Sequence, residues 1–235
     1  MRFAYIAMFE YPEQGKGGIS AADLQTVRSV AAGLAGLVRA DLYCPEHVQD
    51  AYTDDGGLRG FGFQLYFAEL APLEAAIAAD GGLQALAGPG ALPSLAGSAV
   101  TQQAMLRRAV LARDHVKAAT GQCSFLVYYP GPAEDLNIWL SHYLEEHPPV
   151  MKQIPGVREI EILTRIDWVD AMPWQRVHHM QRNRGVFDSV EALGAALQSP
   201  IRQVMQEHYE HFPPFEGDSY HYGVNTETVL PRGLA

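Results

Sequence analysis

The stretch SFLVYYPGPAEDLNIWLSHYLEEH, residues 124–147, holds the strand-to-helix transition on which the fold depends. Its first six residues, Ser124 to Tyr129, are almost all aliphatic or aromatic and predict a strand. Pro130-Gly131-Pro132 ends that strand. From Ala133 to His147 the apolar residues return at helical spacing, and Pro148-Pro149 predicts the end of the helix. The helical positions are Leu136, Trp139, Leu140, Tyr143 and Leu144.

The same order of elements occurs in both halves of the chain. Downstream, the pattern predicts strands at 157–168, 176–187 and 220–229, and a helix at 190–211 that is interrupted near Pro200. Upstream, it predicts strands at 2–9, 37–44, 61–68 and 95–105, one helix capped by Ser20 and a second helix at 72–86. Each half therefore has the βαββαβ order of a ferredoxin-like unit. We predict two repeats, 1–112 and 122–235, and a partly helical linking segment at 106–122.

Composition argues against several classes of protein. The 235 residues are 48% hydrophobic and 19% charged, and no apolar run approaches the roughly 18 residues of a membrane helix. With 17 basic and 27 acidic residues, the net charge of −10 argues against a nucleic-acid partner. Cys44 and Cys123 are too few for a disulfide framework, and the first residues lack the apolar region of a secretory signal. We expect a cytoplasmic protein with no membrane partner.

Each predicted sheet leaves one of its faces without helices. An antiparallel sheet of this kind carries its helices on one face only. Along the strand at 157–166, the face opposite Ile160 and Ile162 mixes charged and apolar side chains. Two such open faces packed together would enclose a cavity lined by both kinds of side chain, which suits a small aromatic ligand. We therefore expect the ligand cavity between the two sheets.

The second half also carries a recognisable motif. Trp139-x-x-His142-Tyr143-x-x-x-His147-x-Pro149-Val150, followed by Ile154-Pro155-Gly156-Val157, resembles the signature of EthD-type domains of the dimeric α+β barrel superfamily. The resemblance implies an α+β fold in which two ferredoxin-like βαββαβ repeats form one barrel within the chain, and it leaves a further homodimer open. The first half matches in element order alone, and Pro148 departs from the motif.

The family resemblance also carries expectations about activity. Similar proteins include cofactor-free isomerases, cyclases, decarboxylases and lyases that act on aromatic or polyketide-like compounds, together with heme-using relatives. In the cofactor-free enzymes, histidines and tyrosines act as acid, base or hydrogen-bond donor. The residue that matches the motif histidine before the proline is His147.

Histidines are the candidate catalytic residues, because imidazole exchanges protons near neutral pH. His147 and His142 lie on the predicted helix; the alternative for His147 is a purely structural position at the helix C-terminus. His178 and His179 fall within the predicted strand at 176–187, where adjacent residues face opposite sides, so one of the two should enter the cavity. The alternative is an edge strand that carries charges to block aggregation.

Candidate binding residues surround these histidines. Arg182 follows on the His178 side of the strand and would hold a carboxylate or phenolate. Aromatic side chains and one further histidine are candidates for the cavity wall, with core packing as the alternative. They are Tyr5, Tyr43, Tyr66, Tyr129, Trp139, Tyr143 and His221. His208 and His211 fit a solvated helix face better than a metal site, and the sequence has no nucleotide-binding or nucleophile-elbow motif.

The leading hypothesis is a cofactor-independent lyase, by decarboxylation or aldehyde-releasing C–C cleavage, that acts on a small aromatic or phenolic acid through histidine acid–base catalysis. We expect no cofactor and no metal. Three alternatives remain open: an isomerase or cyclase of the same barrel family, a heme-dependent peroxidase or oxygenase with a histidine ligand, and a barrel that binds an aromatic ligand without converting it.

Overall fold

The computed structural model describes residues 1–12, 18–50, 52–53, 57–112 and 119–233. The first half comprises β1 (Phe3–Glu10), α1 (Ala21–Gly33), β2 (Leu37–Pro45), β3 (Gly60–Phe67), α2 (Leu70–Ile77) and β4 (Ala99–Leu111). The second half comprises β5 (Ala119–Tyr129), α3 (Leu136–Met151), β6 (Glu159–Arg165), β7 (Gln175–Arg176), β8 (Gln181–Phe187), α4 (Val190–Leu197), α5 (Ile201–Glu210) and β9 (Tyr220–Val229).

The strands form two ferredoxin-like sheets that close into one barrel. The first half has the strand order β4-β1-β3-β2 and the second half has the matching order β9-β5-β8-β6. Antiparallel pairs β2–β9 and β4–β6 join the two sheets, so eight strands form a closed ring, and the short β7 lies parallel to β4 outside it. The predicted α+β fold, a barrel built from two βαββαβ repeats of one chain, is confirmed.

Side-chain caps begin three of the helices. The Ser20 hydroxyl accepts a hydrogen bond from the backbone N–H of Asp23 and begins α1. Asp135 accepts from the N–H groups of Asn137 and Ile138 at the start of α3, and Ser189 caps α4. Such caps satisfy backbone donors that have no partner within the helix. Among the helices of the described ranges, none combines the length and the apolar character that a bilayer crossing requires.

Four of the sequence predictions about these elements are wrong. The helix predicted at 72–86 ends at Ile77, and a separate 3-10 turn follows at Gly82–Leu86. The segment 106–122 is extended rather than helical wherever it is described, because β4 runs to Leu111 and β5 begins at Ala119. Helix α3 passes through Pro148-Pro149 and ends at Met151, because burial of its last turn offsets the backbone hydrogen bonds that the prolines lack. The predicted strand at 176–187 is split into β7 and β8, which leaves residues 177–180 outside both strands.

Ion pairs fill the interior of the barrel where the two sheets face each other. Strands β2 and β6 stand opposite each other in the ring, so the contacts of Arg39 with Glu159, at 3.1 Å, cross the interior. Arg184 pairs with Asp41 at 2.9 Å, again between the two halves. Arg107 contacts both Glu159 and Glu161. The space where the ligand cavity was expected, between the open sheet faces, is occupied by charged side chains that pair across the barrel and by a buried apolar cluster that includes Met8, Met105 and Leu126.

The outer face of the first sheet is a packed aromatic core. Its rings lie beneath α1 and α2, and two tryptophans from the connection between β6 and β8 complete it. Trp168 meets Tyr5 with ring centroids 6.0 Å apart, and Trp174 meets Phe9 at 5.4 Å. A segment of the second half thus fills the space under the helices of the first half.

Candidate functional site

The outer face of the second sheet holds a pocket of about 340 Å³. Strands β5 and β8 form its floor, and helices α3 and α5 form two of its walls. Tyr52 and Thr53, which belong to the β2–β3 connection of the first half, form part of a third wall. The floor residues are Phe125, Val127, Tyr129, Asn183, Gly185 and Phe187. The volume is that of a site for a small ring compound.

Strand alternation decides which side chains reach this pocket. Successive residues of a strand point to opposite faces of the sheet. In β8, Arg182 and Arg184 are buried on the inner face of the barrel, whereas Asn183 and Gly185 line the pocket on the outer face. Gly185 adds no side chain to the floor and so leaves room for a ligand.

His147 is the buried titratable residue of the α3 wall. It is 4% exposed, and its ring lies 4.9 Å from that of Tyr143 and 5.4 Å from that of Phe212. Burial lowers the pKa of His147 to about 3, because the charged imidazolium would lose its hydration. The neighbouring basic side chains His208, Arg202 and His142 act in the same direction. At neutral pH the ring is therefore uncharged, with one N–H donor and one nitrogen lone pair.

A set of hydrogen-bonded side chains holds the Tyr143 ring that packs against His147. Asn183 donates from Nδ2 to the hydroxyl of Tyr143 over 2.6 Å, and Gln181 donates to the Asn183 carbonyl oxygen over 3.1 Å. Trp139 stacks on Tyr143 with ring centroids 5.1 Å apart. These contacts fix the Tyr143 ring, and through it they restrict the position of the His147 ring.

Arg202 on α5 brings a charged group to the pocket. Its Nε and Nη2 donate to the Asp50 carboxylate at 3.0–3.1 Å, and both side chains are buried. The Tyr52 ring centroid lies 5.1 Å from the guanidinium carbon. Because Asp50 and Tyr52 come from the first half, the pocket of the second repeat is completed by the other repeat.

The structure brings together five of the predicted site residues. His147, Tyr129 and His221 line the pocket, and Tyr143 and Trp139 lie directly behind it. The His221 ring stacks on Phe125 with centroids 5.7 Å apart. His142 does not line the pocket; its ring packs against the edge of Phe212, 6.1 Å away.

Three predicted residues lie elsewhere. His178 is exposed and His179 is half-buried, and both lie in the connection between β7 and β8, beside a separate surface groove of about 520 Å³. Arg182 is buried in the barrel, with its guanidinium carbon 4.2 Å from the Tyr128 ring centroid. With a cavity on the inner face of the sheet, His178, His179 and Arg182 would lie near the other histidines. The pocket is instead on the outer face.

The remaining tyrosines are packing residues. Tyr5 lies in the aromatic core of the first half, where its hydroxyl donates to Gln102 over 2.5 Å. Tyr43 and Tyr66 are buried in the barrel interior, where Tyr66 donates to Glu161 and Tyr43 donates to Gln64 over 3.2 Å. None of the three lines the pocket, so the alternative of core packing is correct for them.

Arg202, Asn183 and Tyr52 line the pocket but were missed in the sequence. Asn183 could have been found, because strand alternation places it opposite Arg182 and Arg184. Arg202 sits in a polar helix, and nothing in the sequence links it to Asp50, which lies 152 residues earlier. Tyr52 belongs to a connection whose path depends on the barrel closure.

The residues around His147 fit a heme ligand poorly. A metal-bound histidine normally donates its second ring N–H to an acceptor. Within the described ranges, Nδ1 of His147 is buried without a hydrogen-bond partner, and the side chains that act electrostatically on the ring are the basic residues His208, Arg202 and His142. In the same ranges, no cluster of three or more histidine, cysteine or acidic side chains could hold a metal ion.

Comparisons with known proteins agree on the architecture. No protein-family model matches the sequence, and no curated protein is significantly similar to it. Among solved structures, an anthrone oxidase-like protein superposes with a TM-score of 0.58 at 12% identity, covering 100% of this chain and 95% of that one. A proposed monooxygenase from Lactobacillus acidophilus NCFM gives 0.52 at 11% identity, covering 98% and 97%.

A third structure, an EthD family protein from Bacillus halodurans, gives a TM-score of 0.33 at 18% identity over 42% of this chain and 96% of that one. The fold rests on the first two structures, which match this chain over nearly its whole length. The chain therefore has the dimeric α+β barrel fold that its resemblance to EthD-type domains implies, formed from two ferredoxin-like repeats of one polypeptide.

Proposed function

We propose that the pocket of the second repeat is the active site of a cofactor-free enzyme that acts on a small aromatic or phenolic acid, with His147 as the group that accepts and returns a proton. One observation carries the proposal: a buried, uncharged imidazole lines a pocket of about 340 Å³ whose other walls are largely aromatic and apolar. Such a combination of an apolar pocket and a strongly perturbed titratable group is typical of active sites.

The low pKa of His147 suits a base that gains strength when its substrate binds. In the empty pocket, burial disfavours the imidazolium, so the nitrogen lone pair is available but weakly basic. A substrate carboxylate would place a negative charge in the same poorly hydrated space and raise the pKa of the imidazole. His147 would then take a proton from a hydroxyl or an acidic C–H of the substrate.

Asn183 supplies the second role that such a reaction needs. One N–H of its amide group is donated to Tyr143, and the other is available to an oxygen atom of the ligand. An N–H aimed at a developing oxyanion stabilises the transition state more than the ground state. Tyr143 stays protonated, because burial raises its pKa well above that of a free tyrosine.

Lyase chemistry is the reaction we favour. Aldehyde-releasing C–C cleavage needs a proton removed from a hydroxyl group, and decarboxylation of a phenolic acid needs a proton delivered to the ring carbon. One histidine that changes its protonation state serves either step. Isomerisation or cyclisation would use the same proton transfer.

Oxygenation is the second candidate, and the solved structures favour it. One structural neighbour is described as anthrone oxidase-like and another as a proposed monooxygenase. In this chain, proton removal by His147 would produce an electron-rich phenolate or carbanion that reacts with molecular oxygen supplied from solution. Oxygen consumption therefore distinguishes this candidate from the lyase.

The test compares the wild-type protein with His147→Gln on a panel of hydroxybenzoic, phenylacetic and mandelic acids. Product release, oxygen uptake and exchange of substrate C–H for deuterium are followed together. We expect His147→Gln to lose at least about 100-fold in rate, whereas the exposed His211→Gln retains full activity. Equal rates in wild type and His147→Gln would contradict the assignment, and binding without any turnover would favour the ligand-binding alternative.

A further inference from the structure

Arg202 offers the pocket a guanidinium that is only partly occupied. Asp50 accepts from Nε and Nη2, which together form one edge of the group. Nη1 donates to no residue in the described part of the chain, and it is not among the fully enclosed polar atoms. Because Arg202 lines the pocket, three N–H groups without a partner in the described ranges remain for a ligand: the two of Nη1 and the second one of Nη2.

The surroundings of Arg202 hold this donor in place. The side chain is buried, its carboxylate partner is equally buried, and the Tyr52 ring lies 5.1 Å from it. A guanidinium fixed by a two-point contact on one edge loses little further entropy when its other edge binds an anion. Asp50 is therefore a positioning residue, and Arg202 is the residue that would touch the ligand.

Two acidic residues of the described ranges lie at this pocket: Asp50, which already pairs with Arg202, and Asp218, which lines the pocket. Asp218 is exposed, so water screens its charge, and His147 is uncharged. A carboxylate that enters the pocket therefore meets the edge of the guanidinium that Asp50 leaves uncovered, a directed cationic donor beside both apolar and polar side chains. Charge-assisted hydrogen bonds of this kind are stronger and shorter than neutral ones.

We propose that Arg202 binds the carboxylate of the ligand through Nη1, so that the pocket selects small aromatic carboxylates over their neutral amides of the same shape. The inference rests on the proposed function for the position of the site, and it adds the chemical group by which the substrate is recognised.

The experiment measures affinity and needs no turnover. 4-Hydroxybenzoate and 4-hydroxybenzamide, a matched pair that differs in charge, are titrated calorimetrically into wild type, Arg202→Lys and the double variant Arg202→Gln/Asp50→Asn. The double variant removes both buried charges together, so no unpaired charge is left to unfold the protein. Arg158→Gln, which removes an exposed arginine paired with Asp188 at the surface, is the control for loss of an arginine away from the pocket.

We expect wild type and Arg158→Gln to bind the carboxylate at least about tenfold more tightly than the amide. Arg202→Lys should retain part of that preference, and the double variant should lose it. If the wild type bound the carboxylate and the amide with equal affinity, the inference would be overturned even if no variant folds. A preference for the carboxylate that persists in the double variant would overturn it as well. His147→Gln should keep the preference, because it leaves Arg202 in place. A wild-type protein that prefers the carboxylate but converts no substrate would count against the proposed function alone.

Discussion

Asn183 donates a 2.6 Å hydrogen bond from Nδ2 to the hydroxyl of Tyr143, and this bond links the floor of the pocket to the helix that carries His147. Asn183→Ala would leave the buried hydroxyl without that donor, which typically costs about 1–3 kcal/mol. We expect a loss of that size in the free energy of unfolding, measured by urea denaturation, together with slower turnover.

The matched control for this variant is Asn137→Ala, at an exposed position on α3, the helix that carries Tyr143 and His147. It should change the free energy of unfolding by less than about 0.5 kcal/mol. If Asn183→Ala left both stability and turnover unchanged, the hydrogen bond would have no part in holding the site together.

The protein should lose stability in mild acid because of two histidines, the buried His147 and the half-buried His179. Burial lowers the pKa values of His147 and His179 to about 3, against 6.5 for a free histidine. Between these values the unfolded chain binds more protons than the folded protein, so stability falls as pH falls below about 6.5. The slope is at most about 1.4 kcal/mol per pH unit for each histidine.

Denaturation midpoints of wild type and His147→Gln/His179→Gln, measured from pH 7 to pH 5, check this expectation. Carboxylates begin to change the stability only below this pH range. In Glu159, for example, the charge of Arg184 is the main cause that lowers the pKa, to about 2. The double variant should show a flatter dependence than wild type. Parallel curves would show that the histidines titrate normally in the folded protein.

Removing one partner of the interior ion pairs should destabilise the barrel strongly. Glu161 is buried and contacts Arg107 and Tyr66 from the opposite half. Glu161→Gln leaves the Arg107 charge with one carboxylate fewer, and breaking a buried pair typically costs about 3–5 kcal/mol. Arg158→Gln, at an exposed pair, should lower the free energy of unfolding by less than about 1 kcal/mol. Losses of similar size in the two variants would show that the interior charges are hydrated.

The two repeats should not fold independently of each other. Arg39, Asp41 and Arg107 of the first repeat find buried partners on β6 and β8 of the second. Trp168 and Trp174 of the second repeat complete the core of the first. A fragment of residues 1–112 would lose all of these contacts, so we expect it to lack dispersed amide signals in NMR spectra. A well-dispersed, cooperatively unfolding fragment would contradict this account of the interface.

The fold could be predicted from the sequence because the pattern of each half was locally clear. The final strand, Tyr220–Val229, was predicted at both of its ends, and the break near Pro200 separates α4 from α5 as expected. The errors arose where tertiary contacts overrode local signals, as in α3, whose buried last turn continues through two prolines.

The candidate site could be predicted only in part, because periodicity shows that a strand has two faces but not which of them carries a cavity. Both faces of β8 are buried, one by ion pairs with β2 and the other by helices. Whether space remains under the helices depends on segments that are distant in sequence. In the first half, Trp168 and Trp174 fill the space between the sheet and its helices. In the second half, Tyr52 lines one side of this space and leaves a pocket. His147, which lines the pocket, was chosen through its motif, whereas Arg182, which does not line it, was chosen by placing the cavity on the inner face of the sheet.

A crystal structure of the protein grown with saturating 4-hydroxybenzoate would show whether the pocket of the second repeat is the ligand site. We expect the ring on the outer face of β5 and β8 beside His147, with the carboxylate within hydrogen-bond distance of Arg202 Nη1. A ligand bound in the barrel interior beside Arg182, or a well-ordered crystal whose pocket holds no aromatic ligand, would contradict this expectation.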